Sequence, residues 1–275
     1  MSLPKPPKAE DLRKAAVEAA KCGGKILQKY FRKKLKISEK PGAGLVTNAD
    51  LESQESVVKV LRKAYPEFGF LTEEAKPEKS GSLGRWIIDP LDGTTNFVHG
   101  FPMFCVSIAA EWNGEIILGV IHQPILQETF IAIRGKGVTL NGEKLRVSKT
   151  KDLKNALLTT GFTYRKDQLR AEISAFESLS GVVRAIRRPG SAALDLAYTA
   201  CGIFDGFWER GLSPWDVAAG SLMVTEAGGK VTDFSGNPYN VHSPELLASN
   251  GRLHSSLIQE IALDTHLMSS YNKSR

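Results

Sequence analysis

Cysteine and histidine are scarce in this chain of 275 residues. Cys22, Cys105 and Cys201 are odd in number, far apart and set in apolar sequence. That pattern argues against a disulfide framework and a cysteine zinc site, and leaves reduced thiols as the expectation. His99, His122, His242, His254 and His266 have no metal-ligand spacing and read as surface or turn residues. No run approaches the 18 apolar residues of a membrane helix, and residues 1–8 carry proline and lysine rather than the apolar centre of a signal peptide. The expectation is a cytoplasmic protein with no membrane partner. Neither a Gly-x-Ser-x-Gly elbow nor a P-loop occurs, which counts against serine hydrolases and nucleoside triphosphate chemistry. Internal repeats, low-complexity tracts and clear linkers are also missing.

What is present can fold. A hydrophobic fraction of 42% supports a buried core at this length and excludes a disordered chain. The formal charge of +6 suits anionic small substrates as well as it suits RNA. Much of the excess sits between Lys25 and Lys40, where Lys29, Arg32, Lys33, Lys34 and Lys36 read as a solvated face.

The most specific stretch is Trp86-Ile-Ile-Asp-Pro-Leu-Asp-Gly-Thr-Thr-Asn96. Trp86 to Ile88 is a β-favouring run, with Asp89 expected at the strand tip and a turn at Pro90, which cannot donate to a ladder. Asp92 follows three residues on, close enough for both carboxylates to face one point. Such a pair repels unless a cation lies between them, and without histidine or cysteine nearby that cation is hard and oxygen-seeking, Mg²⁺ or Mn²⁺. If Gly93, Thr94 and Thr95 open a helix or turn, their amides favour phosphate. Each aspartate alone is also an ordinary turn residue; the whole string is not.

The flanking pattern is helical, then β, then mixed. Apolar spacing predicts a helix over residues 10–33, with Gly23-Gly24 as its weak point, and a second from about Ala49 to Ala64 closed by Pro66. A flexible loop, Pro41 to Gly44, separates them, bordered by Lys40. Cys105–Trp112, Glu115–Ile121 and Glu128–Arg134 read as an antiparallel meander with turns at Asn113-Gly114 and Asn141-Gly142. Strands near 156–160, 183–186, 204–208, 229–233 and 246–248 then alternate with helices. The order predicts a layered α+β protein of one domain, with a possible division into halves at about 1–149 and 150–265. The tail after about His266 reads as frayed.

Four motifs resemble the inositol monophosphatase family of Mg²⁺-dependent, lithium-inhibited sugar-phosphate phosphatases. Trp86 to Phe97 resembles its first signature, and Trp215-Asp216 to Gly220 with Thr225-Glu226 to Gly229 its second. Leu45 to Asp50 and Leu71 to Glu74 resemble two shorter motifs upstream. The likeness runs from about residue 10 to about 262. It implies an αβαβα sandwich, two or three Mg²⁺ ions with Mn²⁺ as an alternative, a homodimer, and a small phosphorylated polyol as substrate.

The same resemblance assigns roles. It makes Glu73, Asp89, the Leu91 carbonyl, Asp92 and Asp216 metal ligands, and gives Glu73, Thr94 and Asp50 the positioning of the attacking water. Asp92, Gly93, Thr94, Gly190, Ser191, Ala192, Glu209 and Asp216 would contact substrate. Plainer readings stand beside these. Glu73 and Glu74 could be solvated acids, Asp50 and Asp216 could serve only their helix starts, and Ser191 could cap the helix it precedes. Arg188 is left between substrate contact and a surface or interface ion pair, and Lys40 between an active-site and a surface role. Fructose-1,6-bisphosphatase, histidinol-phosphate phosphatase and 3′-phosphoadenosine-5′-phosphate phosphatase share the metal core. From another class, a factor associated with RNA polymerase or RNA fits the basic balance.

Overall fold

The computed structural model describes residues 5–40, 44–78, 83–163 and 169–262. The elements in order are α1 (Ala9–Tyr30), β1 (Ile37–Lys40), β2 (Gly44–Thr47), α2 (Asn48–Ala64), β3 (Gly69–Thr72), β4 (Gly84–Asp92), α3 (Thr94–Val98), β5 (Cys105–Trp112), β6 (Glu115–Gln123), β7 (Glu128–Ile133), β8 (Gly137–Leu140) and β9 (Glu143–Lys144). There follow β10 (Leu157–Thr160), α4 (Leu169–Ser180), β11 (Ala185–Arg187), α5 (Ala192–Ala200), β12 (Gly206–Arg210), α6 (Pro214–Glu226), β13 (Lys230–Thr232) and β14 (Glu245–Ser249), and a last helix over 254–262.

Five layers result. A seven-stranded sheet runs β3-β4-β5-β6-β7-β8-β9, antiparallel except for the β3–β4 pair. A five-stranded mixed sheet runs β11-β10-β12-β14-β13. Period-two alternation sends Trp86, Ile88, Val106, Ile108 and Val120 to one face of the larger sheet, packed against α1 and α2. Ile87, Cys105, Ala109 and Ile121 on the other face meet α5 and α6, which also bury Phe207, Leu246 and Ala248 of the smaller sheet. The far face of that sheet, with Leu158, Trp208 and Leu247, is covered by Leu179 of α4 and by Leu253, Leu257 and Ile261. This is the αβαβα sandwich. Helices α5 and α6 are buried on both sides, so they read as nearly uniform apolar runs, Ala192 to Ala200 and Val217 to Val224.

Several local expectations needed correcting. Gly23-Gly24 does not weaken α1; a Cβ at Gly23 would lie 2.8 Å from Ser53 Oγ, and one at Gly24 2.6 Å from the His122 ring. These glycines are where α1 is pressed against α2 and the sheet. Strand β4 does not end at Asp89 but continues to Asp92, with an irregular register between the two. A bulge is one of the places where a sheet tolerates proline. His122 and His254 are buried rather than at the surface. His122 Nδ1 lies 3.0 Å from Thr129 Oγ1, and His254 is held at both ring nitrogens by Thr232 and Ser249. Burial pushes the pKa of His254 down to about 4, which keeps it neutral. Pro41 to Ala43 of the expected loop, the Lys40 side chain, His266 and the tail lie outside the described residues.

Candidate active site

The site lies where the bulged end of β4 meets the N-termini of α3, α5 and α6. Gly93 has φ +94°, and a Cβ there would lie 2.8 Å from the Met103 carbonyl. No other residue fits that left-handed, crowded position without strain. It turns the chain from β4 into α3. Asn96 then fixes the turn, its side-chain amide reaching the carbonyls of Met103 (2.7 Å), Pro189 (2.8 Å) and Gly190 (3.1 Å). Ser53 of α2 donates to the Pro90 carbonyl at 2.8 Å and holds the bulge from behind.

Each acid is held by its own local bonds. Asp89 Oδ1 accepts from the Leu91 amide at 2.9 Å, so the Asx-turn geometry is present in addition to the clustering. Asp92 Oδ2 accepts from Ser191 Oγ at 2.5 Å and from the Ala193 amide at 2.8 Å. Ser191 therefore does not cap α5 with its own side chain, as the sequence predicted; Asp92 takes the amide instead. Asp216 accepts from the Ser213 amide at 2.7 Å, half of a capping box. Oxygens of Asp89, Asp92 and Asp216 all lie within 4.8 Å of one another.

Burial raises the pKa of each member of this trio, and mutual repulsion adds to it. Asp89 is pushed well above the usual range by desolvation and by the charges of Glu73, Asp92 and Asp216. Asp92 is pushed up to about 6 and Asp216 to about 8. Glu73 follows β3, its amide bonded to the Ile88 carbonyl at 3.3 Å, and lines the same cavity. Asp50 is fully buried; its Oδ2 accepts from the Thr47 amide (2.8 Å) and hydroxyl (2.6 Å), and its Oδ1 lies 3.0 Å from Thr94 Oγ1. It serves both its helix start and Thr94. Thr94 Oγ1 is also 3.1 Å from the Leu91 carbonyl, and its single proton can serve only one of the two acceptors at a time.

These groups open on a cavity of about 610 Å³. Glu73, Asp89, Leu91, Asp92, Gly93, Thr94 and Asp216 line one end; Gly190, Ser191 and Ala192 line the wall below α5. Gly161, Phe162, Arg188, Glu209 and Arg210 are also in its lining. Glu209, from β12, has its pKa raised by burial and by Asp195, Asp216 and Glu172. The Arg188 guanidinium sits 5.5 Å from the Phe162 ring centre. Every residue given a metal, catalytic or substrate role from the sequence lines this one cavity except Asp50, which reaches it through Thr94. Asn96, Ser53 and Tyr239 were not singled out. Asn96 stood inside the motif, but Tyr239 gave no signal: its hydroxyl is buried without a hydrogen-bond partner among the described residues, and its pKa is raised by burial and by Asp216.

The chain matches the model of the inositol monophosphatase family over residues 8–265. It is 42% identical to a Nus factor SuhB of Pseudomonas aeruginosa over 254 residues, 90% of this chain and 94% of that one. It is 39% identical to an inositol-1-monophosphatase of Synechocystis, covering 94% and 92%. The crystal structure of the extragenic suppressor protein suhB from Bartonella henselae superposes with a TM-score of 0.88 at 40% identity, covering 91% of this chain and 98% of that one. Motif, cavity and relatives agree: the chain belongs to the inositol monophosphatase family.

Proposed function

We propose that this protein is a divalent-cation-dependent phosphomonoesterase that hydrolyses inositol monophosphate, or a closely related polyol phosphate, to alcohol and inorganic phosphate. The observation that carries this reading is the convergence of Asp89, Asp92 and Asp216 within 4.8 Å at one end of a cavity large enough for a sugar phosphate. The donor set is all oxygen, and its carboxylates are too buried and too close to ionise together without a cation. That fits Mg²⁺, in two or three ions, or Mn²⁺. Glu73, Asp89, the Leu91 carbonyl, Asp92 and Asp216 are the groups that would hold them. When bound, such ions supply Lewis-acid charge at the phosphoryl oxygens and lower the pKa of a coordinated water.

The rest of the chemistry belongs to the chain. With the Thr94 proton given to Asp50, Thr94 Oγ1 offers its lone pairs to the attacking water, and Glu73 is placed to take a proton from it. Asp92, Gly93, Thr94 and Asp216 surround the phosphoryl group. Water attacks phosphorus in line with the alcohol oxygen, the P–O bond to that oxygen breaks, and the leaving alkoxide takes a proton from solvent to become the free alcohol. No phosphorylated side chain is needed. Gly190, Ser191, Ala192 and Glu209 face the alcohol, and the Glu209 carboxylate accepts from its hydroxyls. We further read the protein as a cytoplasmic, lithium-sensitive homodimer whose halves, about 1–149 and 150–265, form one domain around the cavity.

The test is release of phosphate from inositol 1-phosphate, fructose 1,6-bisphosphate, histidinol phosphate and adenosine 3′,5′-bisphosphate, with added Mg²⁺ and after chelation. Turnover of the inositol ester above the other three, lost on chelation, is the expected result. No release from any of them, with Mg²⁺ or Mn²⁺, would falsify the reading. A second reading, a factor that binds RNA polymerase or RNA, is favoured by the name Nus factor carried by the Pseudomonas relative. RNA binding that survives Asp89→Asn, in a parent with no phosphatase activity, would favour it over the first.

A further inference from the structure

The positive charge of this protein is concentrated in one place. Residues 14–36 hold eight cations, Lys14, Lys21, Lys25, Lys29, Arg32, Lys33, Lys34 and Lys36, against the single acid Glu18. That is a formal +7 in a chain of net +6, so the remainder is net acidic by one charge. All eight side chains are exposed. Lys14, Lys21, Lys25 and Lys29 are spaced seven, four and four residues apart, which puts them on one stripe of α1. Its buried stripe, with Leu12, Ala16, Ala19, Gly23 and Leu27, is directly opposite. The lysine stripe is about 22 Å long at helical rise. Among the described residues, the only ion pair it makes is between Lys29 and Glu52, at 3.6 Å.

The cationic track leads to an aromatic ring. Arg32 has φ +58°, turns the chain at the end of α1, and donates from Nε to the Gly100 carbonyl at 3.1 Å. The next residue, Phe101, is 50% exposed. A lone exposed ring is unremarkable, and a lysine stripe alone is an ordinary solvated face. A ring fixed at the end of a linear cationic track is what binds single strands: lysines follow the phosphates and the ring stacks a base.

We propose that the outer stripe of α1, the segment through Lys36 and the ring of Phe101 form a binding track for single-stranded nucleic acid. It goes beyond the phosphatase reading, since none of these residues lines the cavity, and the two can fail separately.

The test is fluorescence anisotropy of the full chain with labelled single-stranded oligomers of about 20 nucleotides, RNA in one arm and DNA in the other, titrated with KCl. The parent should bind with an affinity that falls steeply with salt. Lys21→Gln/Lys25→Gln/Lys33→Gln/Lys34→Gln should reduce the slope of log K against log salt by about 2.8, the value for four lost phosphate contacts on a single strand. A control set on another lysine-rich stretch, Lys144→Gln/Lys149→Gln/Lys151→Gln/Lys154→Gln, removes the same charge and should leave the slope unchanged. Phe101→Ala should cost roughly 5- to 100-fold in affinity with the slope retained. Circular dichroism and a cooperative thermal transition of every variant report that it has folded. The proposal is overturned if the parent binds neither oligomer, if both lysine sets lower the slope equally, or if Phe101→Ala changes self-association in sedimentation while binding is untouched.

Discussion

The two ends of the cavity are built differently. The acidic end comes mainly from one continuous stretch, residues 89–96, with Asp216 brought in by α6 and Glu73 by the end of β3. Backbone geometry sets its shape: a bulge, a left-handed glycine and a five-residue helix. The rest of the lining comes from other parts of the chain, including the run from Glu209 to Ser213 that leads into α6. Gly161 follows β10, Arg188 precedes α5, and Glu209 and Arg210 lie on β12 of the other sheet. None of them lies within residues 89–96, so each can be exchanged without changing the turn that carries Asp89 and Asp92. On the proposed function, the motif would carry the chemistry and these other positions the choice of alcohol.

If that contrast holds, variants at the two ends should fail in different ways. The largest effect is expected for Asp89→Asn. It removes the most buried carboxylate of the trio with almost no change of shape, and turnover should fall well over ~10²-fold. Because Asn relieves buried charge, the metal-free protein should melt at the same temperature or higher, while the rise in Tm on adding Mg²⁺ should vanish. Near-native turnover would break the assignment. Glu209→Gln should be milder, roughly tenfold in kcat/KM, with most of the loss in KM. The ratio between inositol phosphate and the other esters should shift with it. An equal change for every substrate would show that the far end does not select.

Much of this was legible in the sequence, for identifiable reasons. The antiparallel meander announced itself through alternation and two Asn-Gly turns, and both asparagines have the positive φ that such turns demand, 51° at Asn113 and 49° at Asn141. The acids were legible because they sit in a run of unusual composition. What escaped depended on partners far along the chain. Pro90 reads as a stop because a sequence does not show a bulge. Ser191 reads as a cap because nothing local reveals that Asp92, 99 residues earlier, takes the Ala193 amide. His122 and His254 read as surface residues because the hydroxyls of Thr129, Thr232 and Ser249 that satisfy them are supplied only by folding.

The smallest effect concerns pH and sharpens the comparison further. In an unfolded chain these carboxyls titrate near pH 4. In the folded, metal-free protein Asp92 keeps its proton to about pH 6 and Asp216 to about pH 8, and Glu209 is also raised. Between those values the folded state binds more protons than the unfolded one, so stability must fall as pH rises. It is fully present below about pH 4 and is lost in steps through about 6 and about 8. Chelated protein should therefore lose roughly 5 °C or more in Tm between about pH 5 and about pH 9. Saturating Mg²⁺ should remove most of that slope by compensating the acids that would hold it. Asp216→Asn should flatten the upper part of the curve in the absence of metal and weaken the response to Mg²⁺. Glu209→Gln should flatten it too, since its carboxylate is buried and repelled by Asp216 and Asp92, and should weaken the response to Mg²⁺ less than Asp216→Asn does, since Glu209 is not among the proposed ligands. A Tm indifferent to pH in the chelated protein would mean that the trio is relieved by the protein itself, and the electrostatic case for cations at this end would fall.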